Sequence, residues 1–585
     1  MISYDSAEEY LFTIGILVAF FGLIVSIIRG RSDLAGVLRS SGMRRRHSLA
    51  MLLVVLAFLI PELLVVNTTQ QLFFDDVIYQ SMAVTLIHTG QAWMCNYGNA
   101  FACYSGQVFH EPIGTSFNLA IAFLIAGANR TAAYATEIVL AVIALVSVFL
   151  VSLVMFKDPR AAIFSEAFLA LSPLLLVWGK PTTSDLPSMA YALVAVLFML
   201  VFLRKRNVDT FGMAAFSLAL ATYMKATMAV LVVVIPVMYL IMEHGSIRRR
   251  LSGIYDLARR NIYNTRLLIV ILLFVVAIGP ELGYAYNKAL YGTYDYQGTY
   301  IQDSCAASLS LTQTKGTFNL QNFEYNVCSN ILFWTNHYES SFVMQPLIFS
   351  IIGVLGAVSM LILERRAFLS IGFWFLSFFL LYAFFYAGGV TYGVDWRFML
   401  SLIAQVSLFA GFFVAAMLDA KDRILLRLVR RWRGAAFRIY HAVAEYSIIL
   451  LVALLMVYPL YAMWSRIAVT PNGLPQAGDA RFYESFVYNE SHLINSSCLV
   501  FSYDPTLFIL NNRTSTQLSN VYNSTLYDNL SLRYSCMVFD RGYWCYTPDS
   551  LCQNINSTFN LTPIVTANYT QMSKTFGFYY LKKKA

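Results

Sequence analysis

Charged side chains make up only 12% of this 585-residue chain, so each one set among apolar residues is informative. The run Phe73-Phe74-Asp75-Asp76-Val77-Ile78-Tyr79 places two adjacent carboxylates beside aromatic rings. Such a pair can take a proton from a hydroxyl nucleophile, hold a cation, or simply be solvated. Further isolated groups follow along the chain: His110-Glu111-Pro112, then Lys180 and Asp185, then Lys225, then Asp395 and Arg397. Carboxylates for acid–base work together with Lys and Arg to neutralise a phosphate would suit chemistry at a lipid-linked phosphate. That reading requires all of them to lie on one side of a membrane.

The elements that would position them are membrane spans. Hydrophobic residues amount to 58%, well above the level of soluble domains. Apolar runs of about 20 residues, enough to cross the hydrocarbon core, number about 12. They are Tyr10 to Ile28, Ser48 to Val66, Ala133 to Phe156, Ala161 to Trp178, Pro187 to Leu203, Thr210 to Met224, Ala226 to Met242, Leu267 to Gly283, Leu347 to Leu363, Ala367 to Gly388, Phe398 to Leu418 and Tyr446 to Trp464. Asp5, Glu8 and Glu9 precede the first run and Arg29, Arg31 and Arg39 follow it, the reverse of a cleavable signal peptide. Alternating the spans puts 26 of the 41 Lys and Arg residues into six inner loops, as the positive-inside rule demands. The net charge of +9 is therefore a topology signal and predicts no nucleic-acid partner.

Two further signals agree on sidedness. Cys95, Cys103, Cys305, Cys328, Cys498, Cys536, Cys545 and Cys552 all fall outside as disulfide candidates. So do the Asn-x-Ser/Thr acceptors Asn67, Asn129, Asn489, Asn495, Asn512, Asn523, Asn529, Asn556, Asn560 and Asn568. Ile113 to Gly127 is too short for a secure span, and crossing there would bury Asn129 inside, so it is expected as a juxtamembrane helix on the outer face. Three parts result: 1–47 an anchor helix and basic loop, 48–464 the membrane domain, and 465–585 an exterior domain. Within the last, Cys498 to Asn512 predicts a buried strand, an Asp-Pro turn and a helix, hence a small α/β module.

The run Asp75-Asp76-x-x-Tyr79-x-x-x-Ala83, with Gly90 beyond it, resembles the first-loop Asp-Glu-x-x-Tyr signature of GT-C glycosyltransferases. Within that class it is most similar to the protein mannosyltransferase and aminoarabinose transferase type. His110-Glu111-Pro112 resembles the Lys/His-Pro-Pro stretch of that type, followed by a juxtamembrane helix and a short Asn-Arg segment ending at Arg130. Ser184-Asp185-Leu186-Pro187 resembles its second exterior acid, Met224-Lys225-Ala226 its Thr-Lys-x, and Arg397-Phe398-Met399-Leu400 its late Arg-Tyr-x-Leu. The similarity covers roughly residues 48 to 418.

That resemblance implies a GT-C fold, a polytopic helical membrane protein of about 12 spans with juxtamembrane helices in the first exterior loop. It implies an inverting glycosyltransferase that moves a sugar from a polyprenyl (dolichyl) phosphate to a protein, glycan or lipid acceptor on the exterior face. Asp75 takes the place of the base, with Asp76 and Asp185 as the other acids. Lys225, Arg397, His110 and Lys180 are the expected donor-phosphate ligands, and Tyr79 and Glu111 the expected substrate contacts. No tightly bound metal or other cofactor is required, although paired acids leave room for a divalent cation. The density of glycosylation acceptors suggests an archaeal plasma membrane. Rival readings are an oligosaccharyltransferase catalytic subunit and a lipid-linked sugar transporter or flippase. The first lacks its Trp-Trp-Asp-Tyr-Gly run here, and the second predicts midplane charge and repeated halves that the sequence does not display.

Overall fold

The computed structural model describes residues 4–64, 73–99, 101–108, 113–180, 182–243, 265–291, 347–385, 395–428, 477–546, 551–570 and 573–584, with short pieces between 298 and 331 and between 443 and 454. Seven described helices are long and apolar enough to cross a bilayer. They are α1 (Tyr4–Ser40), α2 (Arg45–Leu64), α5 (Arg130–Phe156), α8 (Asp185–Lys205), α11 (Thr265–Tyr291), α13 (Arg365–Phe384) and, after a 3-10 turn at Asp395–Met399, α14 (Leu400–Leu428). Three expected spans fall on shorter apolar helices: α9 (Val208–Met224), the 3-10 turn Ala226–Val230 running into α10 (Leu231–Met242), and α12 (Leu347–Leu363). The Tyr446 to Trp464 run lies outside the described residues apart from isolated positions.

The Ala161 to Trp178 run is not one helix, which corrects the count. It divides into α6 (Pro159–Ala170) and α7 (Pro173–Trp178). Pro173 has no N–H to continue the ladder and its ring opposes the carbonyl four residues back, so the chain stops and restarts there. Each piece is too short to span alone.

The expected juxtamembrane segment is helix α4 (Gly114–Ala126), 13 residues long and closed by Gly127 at φ 80°. Asn129 then caps α5 by accepting from the Ala132 amide at 2.9 Å, which explains why the chain turns sharply between the two helices. A methyl group on Gly114 would meet the Tyr223 carbonyl oxygen at 2.4 Å, so only glycine lets α4 approach the end of α9 so closely.

The C-terminal part is built on a seven-stranded sheet in the order β2-β1-β6-β5-β7-β9-β8. Its strands are β1 (Trp93–Asn99), β2 (Ala102–Val108), β5 (Cys498–Ser502), β6 (Thr514–Gln517), β7 (Cys536–Arg541), β8 (Phe559–Tyr569) and β9 (Lys574–Lys583); β3 (Gly298–Ile301) and β4 (Ser310–Gln313) form a separate hairpin. The three middle strands β6, β5 and β7 are parallel, and the flanking pairs are antiparallel. Every residue of β5 is buried, the pattern of a strand covered on both faces. The expected strand, Asp-Pro turn and helix are β5, Asp504 and α16 (Pro505–Leu510), which follows α15 (Ala477–Glu490) in the chain. The sheet is not confined to the C-terminal part, because the β1–β2 hairpin comes from the first loop. Tyr97 and Gly98 pair with Thr516 and Ser515.

Disulfides join Cys95 to Cys103, Cys498 to Cys536 and Cys545 to Cys552. The first closes the hairpin and the second links directly opposed residues of β5 and β7. Cys305 and Cys328 lie outside the described residues, as does Asn67. The other nine candidate glycosylation asparagines are all exposed.

Candidate active site

Helix α3 (Phe73–Thr89) carries the acid pair. Its apolar residues Val77, Ile78, Met82 and Ala83 are buried, so α3 is held from both sides. Ile78, Tyr79, Met82 and Ala83 belong to the membrane-domain core, whereas Val77 packs with Tyr483, Phe486 and Val487 of α15. Asp76 is fully buried and interacts electrostatically with Arg130, Tyr134 and Glu137 of α5. The Asp75 side chain lies outside the described residues. Tyr79 is buried in the core.

A second cluster forms around Asp185, the first residue of α8. A carboxylate there is favoured by the partial positive charge of the helix N-terminus. The Lys225 ammonium pairs with Asp185 Oδ1, and Arg397 Nε lies 3.4 Å from Oδ2. Lys225 stands at the break between α9 and the following 3-10 turn, with an extended backbone at φ −159° and ψ 134°. Its Nζ sits 3.9 Å from the centroid of the Phe398 ring, and Phe398 stacks on Tyr382 at 5.4 Å. An aromatic wall of this kind attracts the ammonium while excluding water. Residues separated by 212 positions of chain thus meet at one carboxylate.

Glu137 joins the two clusters. It is fully buried, neither oxygen has a hydrogen-bond partner among the described residues, and it interacts electrostatically with both Asp76 and Asp185. Inspection of the apolar runs passes over it because it sits within one. An acid in an otherwise uncharged span is nevertheless costly and is a functional candidate by default, and that signal is visible in the sequence. Arg130 and Tyr134 were also missed; Arg130 Nε donates to the Tyr134 hydroxyl at 2.8 Å.

Lys180 is placed differently. It is buried and interacts with Glu62 of α2. Burial pushes its pKa down, and Glu62 partly counters this. His110 and Glu111 lie outside the described residues, and so does the Asp395 side chain. Among the described residues no group of three or more His, Cys, Asp or Glu is arranged to hold a metal ion.

Buried acids and paired cations thus stand at one end of a polytopic helical domain, with a sheet domain seated on the same end. Residues 110–278 match the family described as dolichyl-phosphate-mannose-protein mannosyltransferase. The fold agrees with the structure of ArnT from Cupriavidus metallidurans in the apo state, at 13% identity, covering 91% of this chain and 97% of that one with a TM-score of 0.53. ArnT bound to undecaprenyl phosphate superposes similarly, at 14% identity, 90% and 97% coverage and a TM-score of 0.51. An Archaeoglobus fulgidus oligosaccharyltransferase, tethered with an acceptor peptide, matches at 13% identity, with 93% and 75% coverage and a TM-score of 0.47. No curated protein matches the chain in sequence.

Proposed function

We infer that the protein transfers a sugar from a polyprenyl-phosphate sugar to an acceptor on the exterior face by a single inverting displacement. The carrying observation is that buried Glu137 interacts electrostatically with both Asp76 and Asp185, which supports reading the acid pair and the two cations as parts of one site. In the reaction, the α3 acid pair accepts the proton of the acceptor as its oxygen or nitrogen attacks the anomeric carbon. The bond from that carbon to the phosphate oxygen breaks with its electrons passing to the phosphate, which leaves carrying a second negative charge. Lys225 and Arg397 together outweigh Asp185 by one positive charge, so the cluster is suited to that developing charge. Asp185 holds both cations in place before the donor arrives. The undecaprenyl phosphate in the ArnT structure is a ligand of the same chemical class.

The exterior placement rests on the sheet domain. It carries the disulfides and eight of the exposed glycosylation asparagines, and it packs on α3, so the site faces the same compartment. The cations supply charge neutralisation without a metal. The test is release of polyprenyl phosphate from a panel of polyprenyl-phosphate sugars by purified protein, with Asp75→Asn and Asp76→Asn variants. The reading expects turnover with at least one donor and a loss of roughly 10²-fold or more in one of the two variants. Full activity in both would remove the acid pair from the mechanism.

A further inference from the structure

The exterior domain does more than sit on the membrane domain, because one of its charges reaches the site. Arg130 opens α5 directly behind the Asn129 cap, and its guanidinium faces three ways. Nε binds the Tyr134 hydroxyl at 2.8 Å, Nη2 lies 3.0 Å from Glu484 Oε1 of α15, and the group interacts electrostatically with Asp76. The rings of Tyr134 and Tyr488 flank it at 5.3 and 5.8 Å. Both members of the ion pair are largely out of solvent, with Arg130 at 18% and Glu484 at 5% side-chain exposure. Burying such a pair costs desolvation of two ions, and an apolar contact would dock the domain at lower cost. The apolar contact is already present, since Val77 of α3 is packed among Tyr483, Phe486 and Val487.

We propose that Glu484 is a positioning residue of the transfer reaction: through Arg130 the exterior domain sets the charge environment of the Asp75–Asp76 pair. This rests on the transferase reading above. Glu484 draws part of the guanidinium's charge away from the acid pair and adds a negative charge of its own nearby. Both effects keep the pair basic enough to take a proton from the acceptor. The titratable or charged groups on α3 and the elements beside the acid pair and Arg130 are Tyr79 and, at the far end of α3, His88; Tyr134 and Glu137 on α5; and Asp185 beyond Glu137. On the exterior side are Tyr97 of β1, Tyr104 of β2, Tyr483, Glu484 and Tyr488 of α15, and Asp504 next to Glu484. Helix α4, which also packs on α3, carries none. Adjacent carboxylates titrate as a pair, so the measurable quantity is the acidic limb of the pH–rate profile.

The experiment is the pH dependence of kcat/KM for polyprenyl phosphate release by the full-length protein. Three variants are compared with wild type: Glu484→Gln, Glu484→Asp and the double Arg130→Gln/Glu484→Gln. Removing the Glu484 charge leaves Arg130 undivided, so Glu484→Gln is expected to move the acidic limb down by about one pH unit and lower kcat. Glu484→Asp keeps the charge and should hold the limb at its wild-type position. The double variant removes both charges of the ion pair and so does not leave Arg130 without its Glu484 partner, which keeps the test informative where the single variant fails to fold. There the loss of the nearer cation dominates and the limb moves up. A merely structural contact would leave the limb unmoved in every active variant, and that outcome overturns the proposal, whatever happens to the rate. A wild-type protein that turns over no donor overturns the transferase reading itself and the proposal with it.

Discussion

At the end of the helical domain that bears the Arg-rich loops, Arg160 reaches Asp158, Asp419 and Asp422, and Lys205 meets Asp33 at 3.3 Å. At the opposite end, Lys225 and Arg397 meet Asp185, and Arg130 meets Glu484. The contacts are alike in kind and differ in surroundings. Arg160 and Asp419 keep 39% and 45% of their side-chain surface in water, whereas Asp185 keeps none. Pairs open to water add at most about 1 kcal/mol each, so the first end spends many charges on orientation and on holding its loops together. Ions taken out of water are expensive unless they are put to use. At the second end Asp185, Lys225 and Arg397 form such a buried cluster, and on the reading proposed above they stand where a substrate's charge would develop.

Breaking the second cluster should therefore have the largest effect. Asp185→Ala strands two buried cations, and we expect a loss of about 3–5 kcal/mol in stability, read from thermal unfolding in detergent, together with loss of polyprenyl phosphate release. Glu137→Gln keeps the shape of the site and removes the buried carboxyl group that neighbours both acids. Release should fall by roughly 10- to 100-fold with the unfolding temperature little changed.

The sheet domain offers a pH test of intermediate size. Asp540 accepts hydrogen bonds from Tyr483 and from Ser502, the latter at 2.7 Å, and Asp504 lies beside it. Burial pushes Asp504 and Asp540 each up to about 7, partly offset at Asp540 by those two hydroxyls. The folded state thus holds protons that the unfolded chain releases near the ordinary carboxylate value. The stability this contributes is full below about pH 4 and is lost as the pH rises through about 7. Unfolding followed from pH 4 to pH 8 should show a decline of a few kcal/mol, flattened in Asp540→Asn. The smallest effect belongs to the first end: Arg160→Ala should cost about 1 kcal/mol or less and leave release unchanged, measured in the same two assays.

Much of the second cluster is visible in the sequence for a simple reason. Asp185, Lys225 and Arg397 are lone charges at the ends of apolar runs, and alternation of the spans assigns them one side before any contact is known. Helix α4 and the β5–Asp504–α16 unit are legible too, because short-range signals define them: a 13-residue apolar run closed by glycine, and a buried strand followed by Asp-Pro. What could not be read is pairing across the chain. The β1–β2 hairpin joins β6 over more than 400 residues, and no local pattern marks the partner of an edge strand. The same holds for Arg130 and Glu484. The break at Pro173 was local and legible but was outweighed by overall hydropathy, and Glu137 was hidden by the same averaging.

The most direct test of the central claim is the rate of polyprenyl phosphate release by Lys225→Met against wild type with one active donor at saturating acceptor. Wild-type turnover falling by about 10²-fold or more, with weakened binding of polyprenyl phosphate itself, is the result the account predicts. Release at the wild-type rate, with unchanged affinity for the lipid phosphate, would contradict it.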